Sequence, residues 1–515
     1  MGSQDALLGK ATALVSEMAA DPWGQFSPSV YETGRLVSFT PSLSGHTERV
    51  TFLLRQQQPD GRWGGPGNYD IVPTLSATEA LMRESRRPGG DPGAAVAAER
   101  GLQALAKRLR PNGSLPDTVA VEIMVPGLVA DLNAHLERHG RSPLPTPAGC
   151  YDDLLAHLRT AVAQGHALPE KLLHSLEVIG EPARAASFVR PVHGGIVGCS
   201  PAATAAWLGD EGVRDEQQPS VRYLLAVQGS GGGIPVAAPL ALFERAWVLS
   251  TLASAGIDVR VPRELVNSLH AAFGADGAAG GHGLPPDADD TGTALHALAL
   301  LGSPRSPECL RDYFTGDHFS CFPEERTPST STNAHVLQAI GASLAPDLPD
   351  RTRYAGIIAG WLAGQQEPDG SWRDKWHASP YYATACCATA LAEYGGEHGA
   401  RAVHRAVDWL LATQRADGSW GHWQSTVEET AYAVRTLLRA TVSAPSEAAD
   451  LAAARGSAYL AAADGAEHPP LWHDKDLYTP LRIVETEVLV ARYLADTNPR
   501  LASLVADQVA RVDAR

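Results

Sequence analysis

Cysteine is scarce in this chain: six in 515 residues, at positions 150, 199, 309, 321, 386 and 387, with no paired spacing. That excludes a disulfide-stapled scaffold and a cysteine-based zinc cluster, and leaves the thiols as small apolar groups. Positive charge is also short. Lys plus Arg total 42 against 58 Asp plus Glu, giving a net charge of -16 without any basic run. Contacts to a phosphate backbone need clustered Lys and Arg, so no nucleic-acid partner is expected. No stretch of about 18 apolar residues is available to span a bilayer, and the N-terminal residues lack a basic segment followed by an apolar one. These absences suggest a soluble, cytoplasmic protein. No convincing set of strands is readable either. Apolar residues recur at helical spacing over 94–109, 239–255, 383–394 and 428–440, separated by Gly- and Pro-rich connections.

What is present is a repeat. An aromatic residue, a Gln five positions later, usually Asp-Gly, and then Trp occur as Phe52, Gln57, Asp60, Gly61, Trp63; as Trp361, Gln366, Asp369, Gly370, Trp372; and as Trp409, Gln414, Asp417, Gly418, Trp420. A worn copy reads Tyr223, Gln228, Gly232, Ile234. Each copy follows an apolar helical stretch and breaks it at Gly, so it reads as a helix C-terminus that turns through Asp-Gly while Gln satisfies orphan backbone groups and Trp covers the turn. Helical hairpins at this period stack into solenoids or close into toroids with a hollow middle.

The chemistry concentrates in Pro285-Pro286-Asp287-Ala288-Asp289-Asp290, followed by Ala294, Leu295, Leu298 and Leu301 at helical spacing. Three carboxylates in four positions fall on the first turn of a helix, where Asp is a favoured N-cap. Asp287 and Asp290 share a face while Asp289 points elsewhere, so two ionised groups can hold a third, protonated one without competing for its target. A carboxylic acid facing an apolar, aromatic cavity can protonate an alkene when water is excluded. The segment Lys375, Trp376, His377 to Tyr381 and Tyr382 supplies aromatics beside a cation, either facing such a cavity or opening a core helix.

The Asp-x-Asp-Asp box with these Gln/Trp repeats resembles the class II terpene cyclases, the squalene-hopene cyclase relatives that include copalyl diphosphate synthases. Ser29 to Thr33, Leu172-Leu173-His174-Ser175-Leu176-Glu177, Ser200-Pro201 to Thr204, and Gly232-Gly233-Ile234-Pro235 through Pro239, Phe243, Glu244 and Trp247 match family stretches in the family's order. The resemblance implies an all-α fold of two (α/α) barrels. Residues 25–252 form the γ domain, inserted into a β domain of 1–24 plus 253–515, with the cavity between them. It implies cyclisation of geranylgeranyl diphosphate to a bicyclic labdane or rearranged clerodane diphosphate, with farnesyl diphosphate as the alternative substrate. Asp289 is then the general acid, tuned by Asp287 and Asp290 and positioned by His335 or Asn333, while His174 and Trp247 face it across the cleft. Beside the resemblance, Trp376 and Tyr381 are candidates to face the carbocation, with a core helix start as the other reading, and Lys375 and Lys171 are candidates to meet the diphosphate.

Ionisation-type metal boxes are not found: Asp152-Asp153-Leu154-Leu155-Ala156 lacks the final Asp. The product is therefore expected to keep its diphosphate, which leaves a downstream class I terpene synthase as a candidate partner. The acidic run that holds metal in plant relatives is replaced, leaving Asp117 and Glu122 as a reduced site for Mg2+, a cation suited to carboxylate and diphosphate oxygens. Val236 stands where plant enzymes have the Asn that pairs with the His174 equivalent to hold a deprotonating water, which implies a different terminating base. A non-catalytic helical toroid, acting as a binding module, is the alternative of another class.

Overall fold

The computed structural model describes residues 3–192, 194–343 and 351–501, so the end of the expected C-terminal unit, 502–515, lies outside the described residues. Nearly all regular structure is helical. The two small sheets have two strands each: Pro28–Ser29 pairs with Ile234–Pro235, and Trp472–His473 with Leu477–Tyr478, both antiparallel.

Two closed rings of helices carry the fold. In the first, Val30–Phe39, Ile71–Glu84, Val121–Glu137, the 3-10 segment Glu170–Ile179 and Pro201–Gly212 pack each on the next, and the last returns to the first. In the second, Ala241–Ser254, Ala288–Leu300, Thr330–Ala342, Pro380–Tyr394, Val427–Ala440 and Leu481–Thr497 close in the same way. Outer helices back each ring, among them Ser3–Ala20, which docks on Leu481–Thr497 and so assigns the start of the chain to the second ring.

This corrects the boundary. Ala241–Ser254 was expected at the end of the inserted unit, but it packs against Ala288–Leu300 and Leu481–Thr497, and Val236, Ala237 and Leu240 already belong to the second ring's core. The inserted ring therefore ends near residue 235.

The Gln/Trp repeats do what their composition predicts. Gln57, Gln366 and Gln414 each donate Nε2–H to two carbonyls: Gly61 and Ala97 at 3.1 and 2.8 Å, Gly370 and Ala402 at 2.8 Å each, and Gly418 and Ala452 at 3.0 and 2.8 Å. One carbonyl lies in the turn and the other on the next outer helix, so each Gln staples consecutive hairpins. Trp63, Trp372 and Trp420 are fully buried and donate Nε1–H to Leu53, Leu362 and Leu410 at 2.7, 2.7 and 2.8 Å. Glycine is required at the turn: Gly370 has φ +101°, and a Cβ there would stand 2.5 Å from the Arg405 carbonyl oxygen.

Candidate active site

Asp287 caps the helix Ala288–Leu300, its Oδ1 accepting the Asp290 amide at 2.8 Å. Its own amide donates to Ala278 at 3.2 Å, and the Ala288 amide to Cys321 at 3.0 Å, so loops on both sides fix the cap. Asp290 packs against Gly280, where a Cβ would stand 2.5 Å from Asp290 Oδ2. Burial, helped by the Asp289 charge, pushes Asp287 up to about 7 against its hydrogen bonds with Asp290. Burial and then the Asp287 charge raise Asp290 well above the usual carboxylate range. Against the expected pair of ionised tuning groups, desolvation thus pushes both Asp287 and Asp290 toward the protonated form.

Asp289 turns away from that pair. Its Oδ1 accepts from His335 Nδ1 at 2.7 Å, and its side chain keeps 13% exposure, enough for a substrate to reach Oδ2. Burial lowers the pKa of His335, but the Asp289 charge and hydrogen bond outweigh it and raise it to about 10 when Asp289 is ionised. Asn333 does not take part. Its amide donates to Phe319 and Ser329 carbonyls at 2.9 and 2.8 Å and accepts the Phe319 amide at 2.8 Å. Two residues apart on one helix, Asn333 and His335 face different directions.

An aromatic wall continues from His335. Trp247 meets its ring edge-on at 5.1 Å, Phe243 lies 4.5 Å from Trp247, and Trp472 sits 5.7 Å from Phe243 and 4.7 Å from Tyr382. Tyr381 is a correction: its ring packs tilted against Trp409 at 4.6 Å in the core, and its neighbour Tyr382 lies against Trp472 of the wall. Trp376 lies under Lys375, whose Nζ stands 5.0 Å over the ring, and its indole N–H is buried without a hydrogen-bond partner.

The cations are distributed differently from the expectation. Lys375 is paired with Glu325 and donates to the Thr327 carbonyl at 2.8 Å. Lys171 is exposed at the first turn of the 3-10 segment. From the same turn as Glu325, Arg326 reaches into the other ring, 3.1 Å from Asp117 and 3.8 Å from Glu122. Those two carboxylates therefore converge on one cation's position. Among the described residues no group of three or more His, Cys, Asp or Glu side chains gathers to hold a metal alone. Two carboxylates plus diphosphate oxygens suit Mg2+, which keeps water and binds few protein ligands.

The segment Trp472 to Tyr478, for which the sequence offered no account, is a strap between the rings. Asp474 Oδ1 accepts from His174 Nε2 at 2.9 Å, and Lys475 Nζ lies 2.6 Å from Glu32, 2.9 Å from Glu177 and 2.6 Å from Ser200 Oγ, all buried. Asp476 Oδ2 caps Val30–Phe39 through the Val30 amide at 3.2 Å. Burial lowers the pKa of His174, but the Asp474 charge more than offsets it and raises it. His174 is thus spent on joining the rings, a correction to its expected place facing the acid.

A cavity of about 40 Å³ lies inside the second ring behind His335, lined by Thr293, His296, Arg435 and Glu487 among others. A much larger cleft of about 1330 Å³ runs along Ser3–Ala20, Leu481–Thr497 and the Asp476–Leu477 face of the strap, but touches none of Asp287, Asp289, Asp290 or His335. Size does not select the site; the paired Asp289 does.

Residues 325–478 match the family model described as squalene-hopene cyclase C-terminal domain. The ent-copalyl diphosphate synthase of Streptomyces sp. (strain KO-3988) is 47% identical over 496 residues, 94% of this chain and 95% of that one. The labda-7,13-dienyl diphosphate synthase of Streptomyces clavuligerus is 41% identical over 510 residues, covering 93% and 91%. The solved ent-copalyl diphosphate synthase of Streptomyces platensis shares the fold at a TM-score of 0.90 and 45% identity, covering 95% of this chain and 99% of that one. With relatives this similar along nearly its whole length, the chain belongs to the class II terpene cyclases.

Proposed function

We propose that the chain cyclises geranylgeranyl diphosphate to a bicyclic labdane-type diphosphate by protonating the terminal alkene at Asp289. One observation carries this reading: a carboxyl group partly open to substrate, paired at 2.7 Å with the His335 ring and adjoining an aromatic wall. The His335 N–H occupies Oδ1, so the deliverable proton sits on Oδ2. Protonation leaves a tertiary cation, which successive alkenes attack to close two rings. Trp247, Phe243, Trp472 and Tyr382 supply the π-faces that stabilise migrating positive charge, and burial keeps water from capturing it.

The diphosphate stays attached throughout, since the alkene and not the phosphoester reacts. Where Arg326 now sits, Asp117 and Glu122 would hold Mg2+, whose charge would neutralise the diphosphate and tie down that end of the substrate. The retained diphosphate makes the product fit for an ionisation-type terpene synthase. No helix of the described residues is long and apolar enough to cross a membrane, in keeping with our reading of a cytoplasmic enzyme.

The test incubates the purified chain with geranylgeranyl diphosphate, farnesyl diphosphate and squalene in Mg2+, dephosphorylates, and analyses products by mass spectrometry. A bicyclic C20 alcohol is expected from the first substrate. A drimane-type C15 alcohol as the main product would move the reading to farnesyl diphosphate, and no turnover of any substrate would reject catalysis. Asp289→Asn is expected to slow cyclisation by about 10²- to 10⁴-fold, the usual worth of a positioned general acid.

A further inference from the structure

Cyclisation ends when the last carbocation loses a proton, and some lone pair must accept it. His174 has none to offer. Its Nδ1 lies 2.7 Å from the Gly198 carbonyl, which only accepts, and its Nε2 faces the Asp474 carboxylate at 2.9 Å, so both nitrogens are donors. Asp474 is itself engaged by His174 and by the Lys475 amide at 2.7 Å.

His473, next along the strap, is arranged the other way. Its Nδ1 lies 2.7 Å from the Lys375 carbonyl oxygen, which fixes the proton on Nδ1 and leaves the lone pair on Nε2. That Nε2 is buried and has no hydrogen-bond partner, in a residue only 7% exposed. Buried polar atoms are nearly always satisfied, so one left open at a site asks for an explanation. Burial lowers the ring's pKa to about 4, so it is neutral near pH 7. The ring cannot turn freely: its backbone amide donates to the Trp376 carbonyl at 2.8 Å, and it packs against Tyr69 with centroids 4.8 Å apart. Trp472 before it belongs to the aromatic wall around Asp289, while Lys375, whose carbonyl holds Nδ1, pairs with Glu325 of the turn bearing Arg326. Along the strap the imidazole thus follows the aromatic wall near the acid, and through Lys375 and Glu325 it adjoins the turn that carries Arg326 to Asp117 and Glu122.

We propose that Nε2 of His473 is the base that terminates the reaction. A C–H bond next to the final cationic carbon breaks, its electron pair forms the new C=C bond, and the proton passes to the Nε2 lone pair, giving a neutral alkene and an imidazolium. The imidazolium returns its proton to solvent before the next turnover. Neither an oxidant nor a second reactant is needed. This assignment rests on the cyclase reading above and adds the identity of the second proton-transfer group.

The experiment compares product profiles of the wild type and His473→Phe on geranylgeranyl diphosphate. Phe keeps a ring against Tyr69 but has no lone pair. His473→Phe is expected to go on consuming substrate while forming the wild-type alkene about 10²-fold more slowly, with isomeric alkenes or a hydroxylated diphosphate taking its place. Wild-type products in unchanged proportion would overturn the proposal, as would a profile altered by Asp474→Asn but not by His473→Phe. Should His473→Phe not fold, as judged by circular dichroism, His473→Gln is read by the same criteria, because its amide can still donate to Lys375. A wild-type chain that cyclises no prenyl diphosphate would instead reject the cyclase reading, an outcome distinct from either of those.

Discussion

Four titratable side chains within one helix turn and its neighbour set how the acid responds to pH. Asp287 and Asp290 have folded pKa values above their ordinary ones, Asp287 at about 7, because burial penalises the charged forms. A carboxyl raised in this way favours the fold fully below its unfolded value near 4 and loses that contribution as pH rises through the folded value. His335, raised to about 10, behaves likewise over a higher window: its pairing with Asp289 is fully present below about 6.5 and is lost as pH passes 10. Turnover is therefore expected to decline above about pH 7, from the carboxyl pair and not from His335, and Asp287→Asn to alter that limb. A rate profile flat from pH 6 to 9 would contradict this. At this scale the sequence was informative about the box, because a proline pair ahead of three carboxylates is a local pattern. It was not informative about facing. Asn333 against His335, and Tyr381 against Tyr382, differ by 200° and 100° of helix rotation, about 100° per residue, and only the packed neighbours decide which side chain meets Asp289.

The repeats are units of two helices and a turn, and their stability is local. Gln414→Ala would leave the Gly418 and Ala452 carbonyls without their side-chain donor, and Trp420→Ala would empty a fully buried site. The first is expected to cost about 1–3 kcal/mol and the second about 3–5 kcal/mol in denaturant unfolding, with turnover per folded molecule nearly unchanged. These elements were legible because the Gln, Gly and Trp positions interact within their own turn and the next helix. The worn copy shows what a missing Trp is used for. Gln228 accepts from Arg49 and donates to Gly45, and Ile234 forms the strand that pairs with Ser29. There the turn has been given over to joining the start of the first ring's inner helix.

Between the rings, Lys475 is fully buried against Glu32 and Glu177. Lys475→Met leaves two carboxylates without their cation, and breaking such a buried set typically costs about 3–5 kcal/mol. Thermal unfolding should show that loss, and adding Glu32→Gln and Glu177→Gln should recover part of it. A pattern of this kind escapes sequence reading, since Asp474 and His174 are 300 residues apart and a charged heptapeptide carries no periodicity to announce burial. The two-ring plan was legible through family resemblance, but the join was set too late: Ala241–Ser254 follows the Gly-Gly-Ile-Pro stretch almost without a break, and only its packing reveals which ring owns it. The strap also constrains how this molecule can be recombined. Its seven residues are encoded near the far end of the chain yet complete the inserted ring's polar seam, so a chimera that exchanges residues 28–235 with a relative's has to transplant 472–478 from the same donor, or the graft will meet a mismatched clasp.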